Sequence, residues 1–572
     1  MASFDGLQNM GSGLVLGEVP EDCKPVVIGI DFGTAYSGVA FAYKVDPGSI
    51  QCGAPTSLDN SQFKVPTALL QNEDGTWLFG NAAEAKYNEM LTAHTTGSAV
   101  PVHMYKRFKM VLKDATEGFD KLTAMSINGK NTSLLLLISK ALEKLKEFAL
   151  EKVAAGYGGA LDPLTDIQWV LTVPAIWNEF GKAFMRKAAF KAGMIVDEQS
   201  ENLMLVLEPE GAALAVHAGA AAFNLLGATS RFMVLDCGGG TVDITVHEVL
   251  TVQPLALKAI SVPSGGDWGG DYVNLEFRKF LQELLGPDLF KESELPFEFY
   301  SIMLEFDRIK LIFDPLKDPG TMRLIDVLEN KKQLFGLVEA YNAKHPDKPV
   351  LASQAVRNGF LCMSKELMMS FFEPFLAATV QETRNILSAH EHITNIIVVG
   401  GFGSSKVLTN RINSEFHNKS GVRVILPDPR PKPQGAIAHG AVYYGLYKNI
   451  IQNRVAPFTY GVAMRINGVD DVFQILVSKG EDLPFDQESR CTGLPITEEQ
   501  RTITWKIYRS SLEEPRTVTG EHLLGTLTAE CPPATEQRLR QQFGSFKFGG
   551  SEIKVSILNA EGKQFQSEIS MK

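Results

Sequence analysis

The chain has 572 residues, of which 45% are hydrophobic and 21% charged, as in an ordinary globular protein of several domains. Its net charge of -11 argues against nucleic acid or an anionic membrane surface as the main partner. The six cysteines include no Cys-x-x-Cys pair, and the N-terminus lacks the basic patch and apolar core of a signal peptide. No apolar run approaches the roughly 20 residues of a membrane helix. We therefore expect a cytoplasmic protein with reduced thiols and no membrane span.

The first half of the chain alternates between strand and helix patterns. Residues 1–24 are glycine-rich and without a period, which predicts a flexible tail. Val26–Tyr43 predicts two strands around a tight turn, and Leu134–Val153 predicts a helix that Thr132 or Ser133 caps. Three further elements follow: a strand at Trp169–Val173 and helices at Asn178–Ala192 and Glu210–Ala222.

The strand–turn–strand unit occurs a second time at Phe232–Val249, with Asp236 in its turn about 205 residues after Asp31. A third apolar strand, Ile396–Val399, runs into four residues that include three glycines, and the region between about 270 and 395 has mostly helical patterns. Such a repeat predicts a duplicated α/β fold with two similar lobes facing each other.

The pattern changes at about Val455, where helical periods give way to short alternating strands separated by glycine turns. This predicts an all-β domain over residues 456–572. The expected strands are Tyr460–Ile466, Val472–Val477, Thr502–Tyr508, Leu523–Ala529, Ser545–Phe548 and Ile553–Leu558.

The residues suited to phosphate and metal binding lie in two glycine-rich turns, Asp31–Thr34 and Asp236–Thr241, which we call the Asp-Gly turns. A glycine-rich turn lets backbone N–H groups converge on an anion, and we expect a positive φ at Gly239. Asp31 and Asp236 each follow a buried strand, and two carboxylates that face phosphates suit a hydrated Mg²⁺ ion. The alternative for each turn alone is a simple hairpin with a capping aspartate.

The motifs around these turns resemble those of the actin-like ATPase superfamily, in the form of the 70-kDa heat-shock proteins. Ile28–Ser37 and Val234–Val246 resemble the two phosphate loops, and Val398–Ser404 resembles the adenosine loop. Cys237, together with the sequence that ends at Val249, is most similar to the divergent type-12 branch. Three further motifs match in the family's order: Leu171–Trp177, Leu207–Ala215 and Ser264–Asp271.

The resemblance implies a duplicated, ribonuclease-H-like two-lobed ATPase domain over residues 25–450, with ATP or ADP and Mg²⁺ as cofactors. Asp31 and Asp236 would hold the metal through water. The implied catalytic residues are Lys109, Glu208, Asp236, Thr241 and Asp243. The implied nucleotide-binding residues are Gly33, Thr34, Ala35, Tyr36, Gly238, Gly239, Gly240, Thr241, Gly269, Gly270, Asp307, Lys310, Gly400, Gly401, Phe402, Gly403 and Ser404.

Several of these residues have simpler explanations. Lys109, or Lys106 in its place, could be a surface lysine, and Glu208 could only favour the start of a helix. Asp307 and Lys310 could lie on an exposed helix face. The chain also departs from the family, since Ala35, Leu311 and Gln434 replace a threonine, an arginine and an acidic residue.

The region 456–572 resembles the family's peptide-binding β-sandwich, with Pro457–Val462 similar to its opening. No sequence remains for the helical lid or the co-chaperone tail, and Lys448–Ala456 lacks the usual acidic and hydrophobic linker. The resemblance therefore implies a slow ATPase whose nucleotide state controls polypeptide binding by a lidless sandwich. Implied partners are polypeptide clients or a protein partner, and nucleotide-exchange or co-chaperone proteins.

Two other functions are considered. The first is a nucleotide-gated scaffold or adaptor with negligible hydrolysis, which the altered first loop, linker and lid favour. The second is a metabolite kinase of the same superfamily, against which the all-β region argues.

Overall fold

The computed structural model describes residues 18–53, 63–93, 102–116, 118–218, 227–287, 289–290, 296–316, 321–323, 331–351, 360–426, 435–531, 540–559, 562 and 564–566. Gln434 lies outside these ranges, as does most of the predicted tail. In the described part of that tail, Cys23 is buried. No helix in these ranges is long and apolar enough to cross a membrane. All six cysteines are described, and none forms a disulfide.

The first lobe is built on a sheet with the order β11-β10-β1-β2-β3. The strands are β1 (Val26–Phe32), β2 (Tyr36–Tyr43), β3 (Asp46–Gly53), β4 (Val65–Pro66), β5 (Ala68–Gln71), β6 (Trp77–Phe79), β7 (His103–Lys106), β8 (Thr123–Met125), β9 (Asn131–Ser133), β10 (Ile167–Val173) and β11 (Leu203–Leu207). The helices are α1 (Asn81–Ala93), α2 (Leu134–Gly156), α3 (Glu179–Lys191) and α4 (Glu208–Ala218).

Local signals set the starts of two of these helices. The Ser133 hydroxyl accepts a hydrogen bond from the N–H of Leu136 at the start of α2, and Asn178 caps α3 by accepting from Gly181. The predicted helices at 134–153 and 178–192 are thus confirmed, and Ser133 rather than Thr132 is the cap of α2. The helix expected at 210–222 begins two residues earlier, at Glu208, and residues 219–222 lie outside the described ranges.

The second lobe repeats this arrangement with the strand order β19-β18-β12-β13-β14. The strands are β12 (Arg231–Cys237), β13 (Val242–Val252), β14 (Leu255–Ala259), β15 (Ser264–Gly266), β16 (Thr321–Arg323), β17 (Phe360–Cys362), β18 (Ile393–Val399) and β19 (Arg423–Ile425). The helices are α5 (Gly270–Leu285), α6 (Pro296–Ile312), α7 (Lys331–Lys344), α8 (Lys365–Ala389), α9 (Lys406–Phe416) and α10 (Ala436–Leu446).

The two lobes share one topology. In each, the first strand pairs antiparallel with the next strand of the hairpin and parallel with a later strand, as β1 does with β2 and β10, and β12 with β13 and β18. The prediction of a duplicated α/β fold therefore agrees with the structure. The carboxyl ends of the parallel strands lie at one edge of each sheet, and the Asp-Gly turns lie at that edge.

The segment after α10 joins the second lobe to the C-terminal region. Ile451–Val455 forms strand β20, which pairs parallel with β14 and antiparallel with β23 (Asp482–Pro484) of the C-terminal region. The sequence showed no linker of the usual kind here. The structure has a strand that extends the sheet of the second lobe into the following region.

The C-terminal region contains two four-stranded antiparallel sheets, ordered β22-β21-β25-β26 and β24-β27-β28-β29. Val462 and Ile507 of one sheet and Phe546 and Ile557 of the other are buried in one core. The strands not yet named are β21 (Thr459–Ile466), β22 (Val469–Val477), β24 (Glu488–Gly493), β25 (Thr502–Ser510), β26 (His522–Glu530), β27 (Gln542–Lys547), β28 (Lys554–Asn559) and β29 (Gln564–Gln566).

Candidate functional site

Asp236 lies near the end of β12, beside Gly400 at the end of the neighbouring strand β18. Gly400 has φ 90°, and a Cβ atom there would collide with Asp236 Oδ1, so both conformation and space require glycine. Asp236 is buried, and within the described ranges neither of its carboxylate oxygens has a hydrogen-bond partner. A buried carboxylate that the protein does not pair is suited to a cation or to ordered water. Asp236 therefore fits the predicted role of holding hydrated Mg²⁺.

Three more carboxylates surround Asp236. Burial raises the pKa of Asp236 well above its usual value, and the charges of Glu208, Asp243 and Asp31 raise it further. Burial also raises the pKa of Asp243, and it raises that of Glu208 to about 6. In the described part of the chain, no three acidic, histidine or cysteine side chains are arranged to ligate a metal directly. The prediction does not require such a group, because it has the metal held through water.

Asp31 has a cationic partner that the sequence analysis missed. Lys64 Nζ lies 2.5 Å from Asp31 Oδ2, and the Thr172 hydroxyl donates to Asp31 Oδ1 over 3.5 Å. Lys64 comes just before the short strand β4 and carries no motif that marks it. Asp31 is thus neutralised by the protein itself, whereas Asp236 is not.

Lys109 is buried and faces this acidic cluster. Its Nζ donates to Glu208 Oε1 over 2.8 Å and to the carbonyl of Phe32 over 2.6 Å. Lys106 instead pairs with Glu84 at 2.6 Å. Of the two candidate lysines, Lys109 is therefore the one beside the carboxylates, and it is not a surface lysine.

Asp243 connects the two lobes at the back of the cluster. One of its oxygens accepts a hydrogen bond from the N–H of Ile176, which follows β10 in the first lobe, over 3.0 Å. Thr241 donates to the same carboxyl and lowers its pKa against the effect of burial. Asp243 and Thr241 thus stabilise the contact between the lobes beside Asp236.

The two predicted phosphate loops touch each other. A Cβ atom on Gly239 would lie 2.7 Å from the Ala35 Cβ, and one on Gly240 would lie 2.8 Å from the Thr34 hydroxyl. The expectation of a positive φ at Gly239 is wrong, because its backbone lies outside the left-handed region. Close approach of the loops, rather than an unusual dihedral angle, requires glycine at this position.

Hydrogen bonds from the start of α5 fix the second predicted phosphate loop. The carbonyls of Gly238, Gly239 and Gly240 accept hydrogen bonds from the N–H groups of residues 269–271. Among the residues that the structure describes, the N–H groups of Gly239 and Gly240 have no acceptor. Two free N–H groups at a fixed turn are what an anion nest requires.

Lys310 is the centre of a second polar cluster. Its Nζ donates to Gly270 O, Asn274 Oδ1 and Asp307 Oδ1 over 3.1, 2.9 and 2.8 Å. Burial alone would raise the pKa of Asp307, but the charges of Lys310 and Arg107 bring it below its usual value. Asp307 and Lys310 are therefore part of a packed network, and they do not lie on an exposed helix face.

Arg107 links this cluster to the first lobe. The residue has φ 58° and its Nε lies 3.0 Å from Asp271 Oδ2, while its terminal nitrogen lies 3.6 Å from Asp307. Lys113 adds a second ion pair of this kind with Asp267 at 2.6 Å. The sequence analysis missed these pairs, which hold the two lobes together at the mouth of the cleft.

The residues of the predicted adenosine loop differ in their exposure to solvent. The Phe402 ring is buried against Phe372 and Phe375, so it contributes to the core of the second lobe. Gly403 is also buried, whereas Gly401 and Ser404 are exposed. Tyr36 of the first loop is 44% exposed at the edge of the cleft.

Substitution of Asp236 by asparagine is expected to leave the fold intact and to weaken Mg²⁺-dependent nucleotide binding by about tenfold or more. The change removes one charge from an oxygen pair that has no protein partner, and hydrogen bonds to charged groups contribute about 1.5–3 kcal/mol. Calorimetric titration of ATP with Mg²⁺ and with EDTA measures the effect. Asp470→Asn, at the exposed start of β22, is the matched control, and equal Mg²⁺ dependence in both variants would contradict the metal role.

The raised pKa of Glu208 predicts that the stability of the protein depends on pH. Its pKa is raised in the folded state from 4.5 to about 6, so the folded protein favours the protonated form. The resulting stabilisation is present below pH 4.5 and is lost as the pH rises through 6. Without metal, wild type is therefore expected to lose about 2 kcal/mol relative to Glu208→Gln between pH 4.5 and 7.5. Urea unfolding of both proteins in EDTA tests this, and parallel pH profiles would exclude it.

Two lobes of repeated topology, with glycine turns and carboxylates meeting between them, are consistent with the mixed α/β fold that the resemblance to actin-like ATPases predicts. No protein-family model matches the chain. The chain is 27% identical to human heat shock 70 kDa protein 12B and 26% identical to mouse heat shock 70 kDa protein 12A, in each case over 93% of this chain and 89% of the relative.

A more distant match is the chaperone protein DnaK of Mycoplasmopsis agalactiae, which is 24% identical over 93% of this chain and 73% of the relative. The predicted resemblance is confirmed: the chain is similar to the type-12 heat shock 70 kDa proteins over 93% of its length and more distantly similar to DnaK.

Proposed function

We propose that this protein binds ATP and ADP with Mg²⁺ and hydrolyses ATP slowly. Its nucleotide state would control how residues 456–572, as a β-sandwich without a helical lid, bind a polypeptide. Residues 25–450 would form the nucleotide-binding unit, and the cytoplasm would be the site of action. The homology to heat shock 70 kDa proteins supports an ATP-binding function of this type.

The observation that carries the proposal is the arrangement around Asp236. Its unpartnered carboxylate would hold the hydrated metal, with Asp31 on the opposite loop. Lys109 would neutralise phosphate charge, and Glu208, to which it donates, would orient the attacking water. Phosphoryl transfer depends mainly on such positioning and charge neutralisation.

The start of α4 offers a route from this site to the C-terminal region. Glu208 lies in the site, and Glu210, two residues later, forms a buried bidentate ion pair with Arg454 of β20 at 2.8 and 2.9 Å. Arg454 also donates to the carbonyl of Gly549 in the C-terminal region over 2.6 Å. One helix start thus contacts both the candidate nucleotide site and the strand that leads to the β-domain.

Calorimetric titration of ATP and ADP with Mg²⁺, followed by single-turnover hydrolysis on the same sample, tests the nucleotide part of the proposal. We expect both nucleotides to bind and ATP to be hydrolysed slowly. Absence of binding would exclude the proposal. Phosphorylation of added glycerol or a sugar would point instead to a metabolite kinase.

A second candidate is a nucleotide-gated scaffold or adaptor with negligible hydrolysis. Ala35 favours it, because this methyl group packs against the second loop where the family usually has a threonine hydroxyl. Retained ATP binding with no measurable turnover would select the scaffold over the slow ATPase.

Peptide binding by the β-domain is expected to be weak and rapidly reversible. The described residues after 456 form strands and no α-helix, so they contain no helical lid. Differences in affinity among related complexes arise mainly in the dissociation rate. Hydrogen exchange of the full chain with unfolded clients should show protection between Tyr460 and Tyr508. Dissociation over hours would contradict the proposed lidless binding, and no protection anywhere would mean that the β-domain only packs against the ATPase unit.

A further inference from the structure

A cavity of about 840 Å³ lies where the two lobes meet the C-terminal region. The first lobe contributes α3, the second lobe contributes β13 and the segment around Val262, and the C-terminal region contributes β21 and the residues before β28. Trp177, Phe458, Phe548 and Leu524 give it apolar walls. This volume and lining are typical of small-molecule sites, which bury an apolar body and add a few polar groups.

Three arginines in the cavity wall are already paired. Arg186 binds Glu552 at 2.6 Å, Arg509 binds Glu179 at 2.6 Å, and Arg454 binds Glu210 as described above. Each carboxylate of these pairs therefore has its own guanidinium.

Lys182, unlike these three arginines, is a cation of the cavity wall without a paired carboxylate in the part of the chain that the structure describes. It projects from α3, between the paired residues Glu179 and Arg186, and lines the cavity. Within the described residues, its ammonium group has neither a hydrogen bond nor an ion pair. Burial lowers the pKa of Lys182, against the opposing charge of Glu179, and Arg454 also lowers it. The cavity wall thus has one partly buried ammonium group that forms no direct hydrogen bond or ion pair with the described residues, although three carboxylates, Glu179, Glu552 and Glu210, act on it from a distance.

A second polar group of the wall is also unsatisfied. His247 Nε2 shares a hydrogen bond with the Thr245 hydroxyl at 2.9 Å, whereas its buried Nδ1 has no partner among the described residues. Burial lowers the pKa of His247 to about 4, so the ring is neutral at physiological pH. A neutral imidazole adds polarity to the wall without competing with Lys182 for an anion.

We propose that this cavity binds a small organic anion, with its acidic group on Lys182 and its apolar body between Phe458, Phe548 and Leu524. The proposal does not rest on nucleotide binding, since Asp236, Glu208 and Lys109 do not line the cavity. The two sites are neighbours, because the N–H of Ile176 in the cavity wall donates to Asp243. Because all three parts of the chain line the cavity, an occupant stabilises the arrangement in which they are docked.

The test uses the full chain and 8-anilinonaphthalene-1-sulfonate, a probe with a sulfonate on an aromatic body. Fluorescence titration should show saturable binding to wild type. Lys182→Met keeps the alkyl stem and removes the charge, and we expect it to weaken binding about tenfold or more, as for the loss of a charged hydrogen bond. Lys182→Arg should retain binding. Lys187→Met, on the same helix but outside the cavity, is the matched control.

Equal affinity in wild type and Lys182→Met, or no saturable binding to wild type, would overturn the proposal. Full displacement by ADP with Mg²⁺, together with a probe affinity that is lowered in Asp236→Asn and not in Lys182→Met, would place the probe in the nucleotide cleft and overturn the proposal. If Lys182→Met folds poorly, a labelling experiment on wild type alone still tests the proposal. Acetylation by acetic anhydride, read by mass spectrometry, should be suppressed by the probe at Lys182 and not at Lys187, and equal labelling with and without the probe would contradict binding here.

Discussion

A valine at position 239 is expected to abolish nucleotide binding. The first atom of any side chain there would lie 2.7 Å from the Ala35 Cβ, closer than two carbon atoms approach without displacement. A branched side chain would force the two phosphate loops apart and cover the N–H groups of Gly239 and Gly240. Since phosphates would bind through those groups, ATP and ADP affinity should fall by at least about 100-fold, equivalent to two lost charge-assisted hydrogen bonds.

Gly158→Val is the matched control, because this exposed glycine has no unusual dihedral angle and a Cβ atom there would have no other atom within 4 Å. Circular dichroism should show folded protein for both variants, and calorimetry should show loss of ATP binding only for Gly239→Val. Unchanged affinity in Gly239→Val would exclude this turn as a phosphate nest.

The local features of the fold could be predicted from the sequence because they depend on neighbouring residues. The hairpin β12–β13 was expected from an apolar strand, an Asp-Gly turn and a second apolar strand, and it pairs Asp236 with Asp243. The cap at Ser133 follows an equally short-range rule. The grouping of Asp236, Glu208 and Lys109 required the family resemblance, since no period connects these positions.

The features that were missed depend on residues far apart in the chain. The ion pair of Arg454 with Glu210 joins residues 244 positions apart, and neither stands in a motif that predicts the other. Strand β20 was also missed, because its five residues include polar Gln452 and Asn453 and it gains its order from pairing on both sides. The same long-range pairing joins the two parts of the chain in the segment where the sequence showed no linker of the usual kind.

Arg454→Met is expected to weaken docking of the C-terminal region on the ATPase unit by about 3–5 kcal/mol, the effect of removing one partner of a buried ion pair. Glu210 would remain buried without its guanidinium, and burial would then raise its pKa, which Arg454 now holds below its usual value. Gly549 would also lose the donor to its carbonyl oxygen. Undocking would return Glu210 to water, so the change should separate the two regions before either unfolds.

Hydrogen exchange at the paired strands β20 and β23 measures this, and we expect faster exchange there with little change in the core of the first lobe. Arg490→Met, which removes an exposed ion pair with Glu488, is the control. The double variant Glu210→Met/Arg454→Met should lose less docking stability than the two single changes together, because it leaves no unpaired charge.

If ATP still alters peptide dissociation in Arg454→Met as in wild type, the start of α4 is not the route between the two sites. If ATP binds normally but no longer alters dissociation, the Glu210–Arg454 pair is the physical link between them.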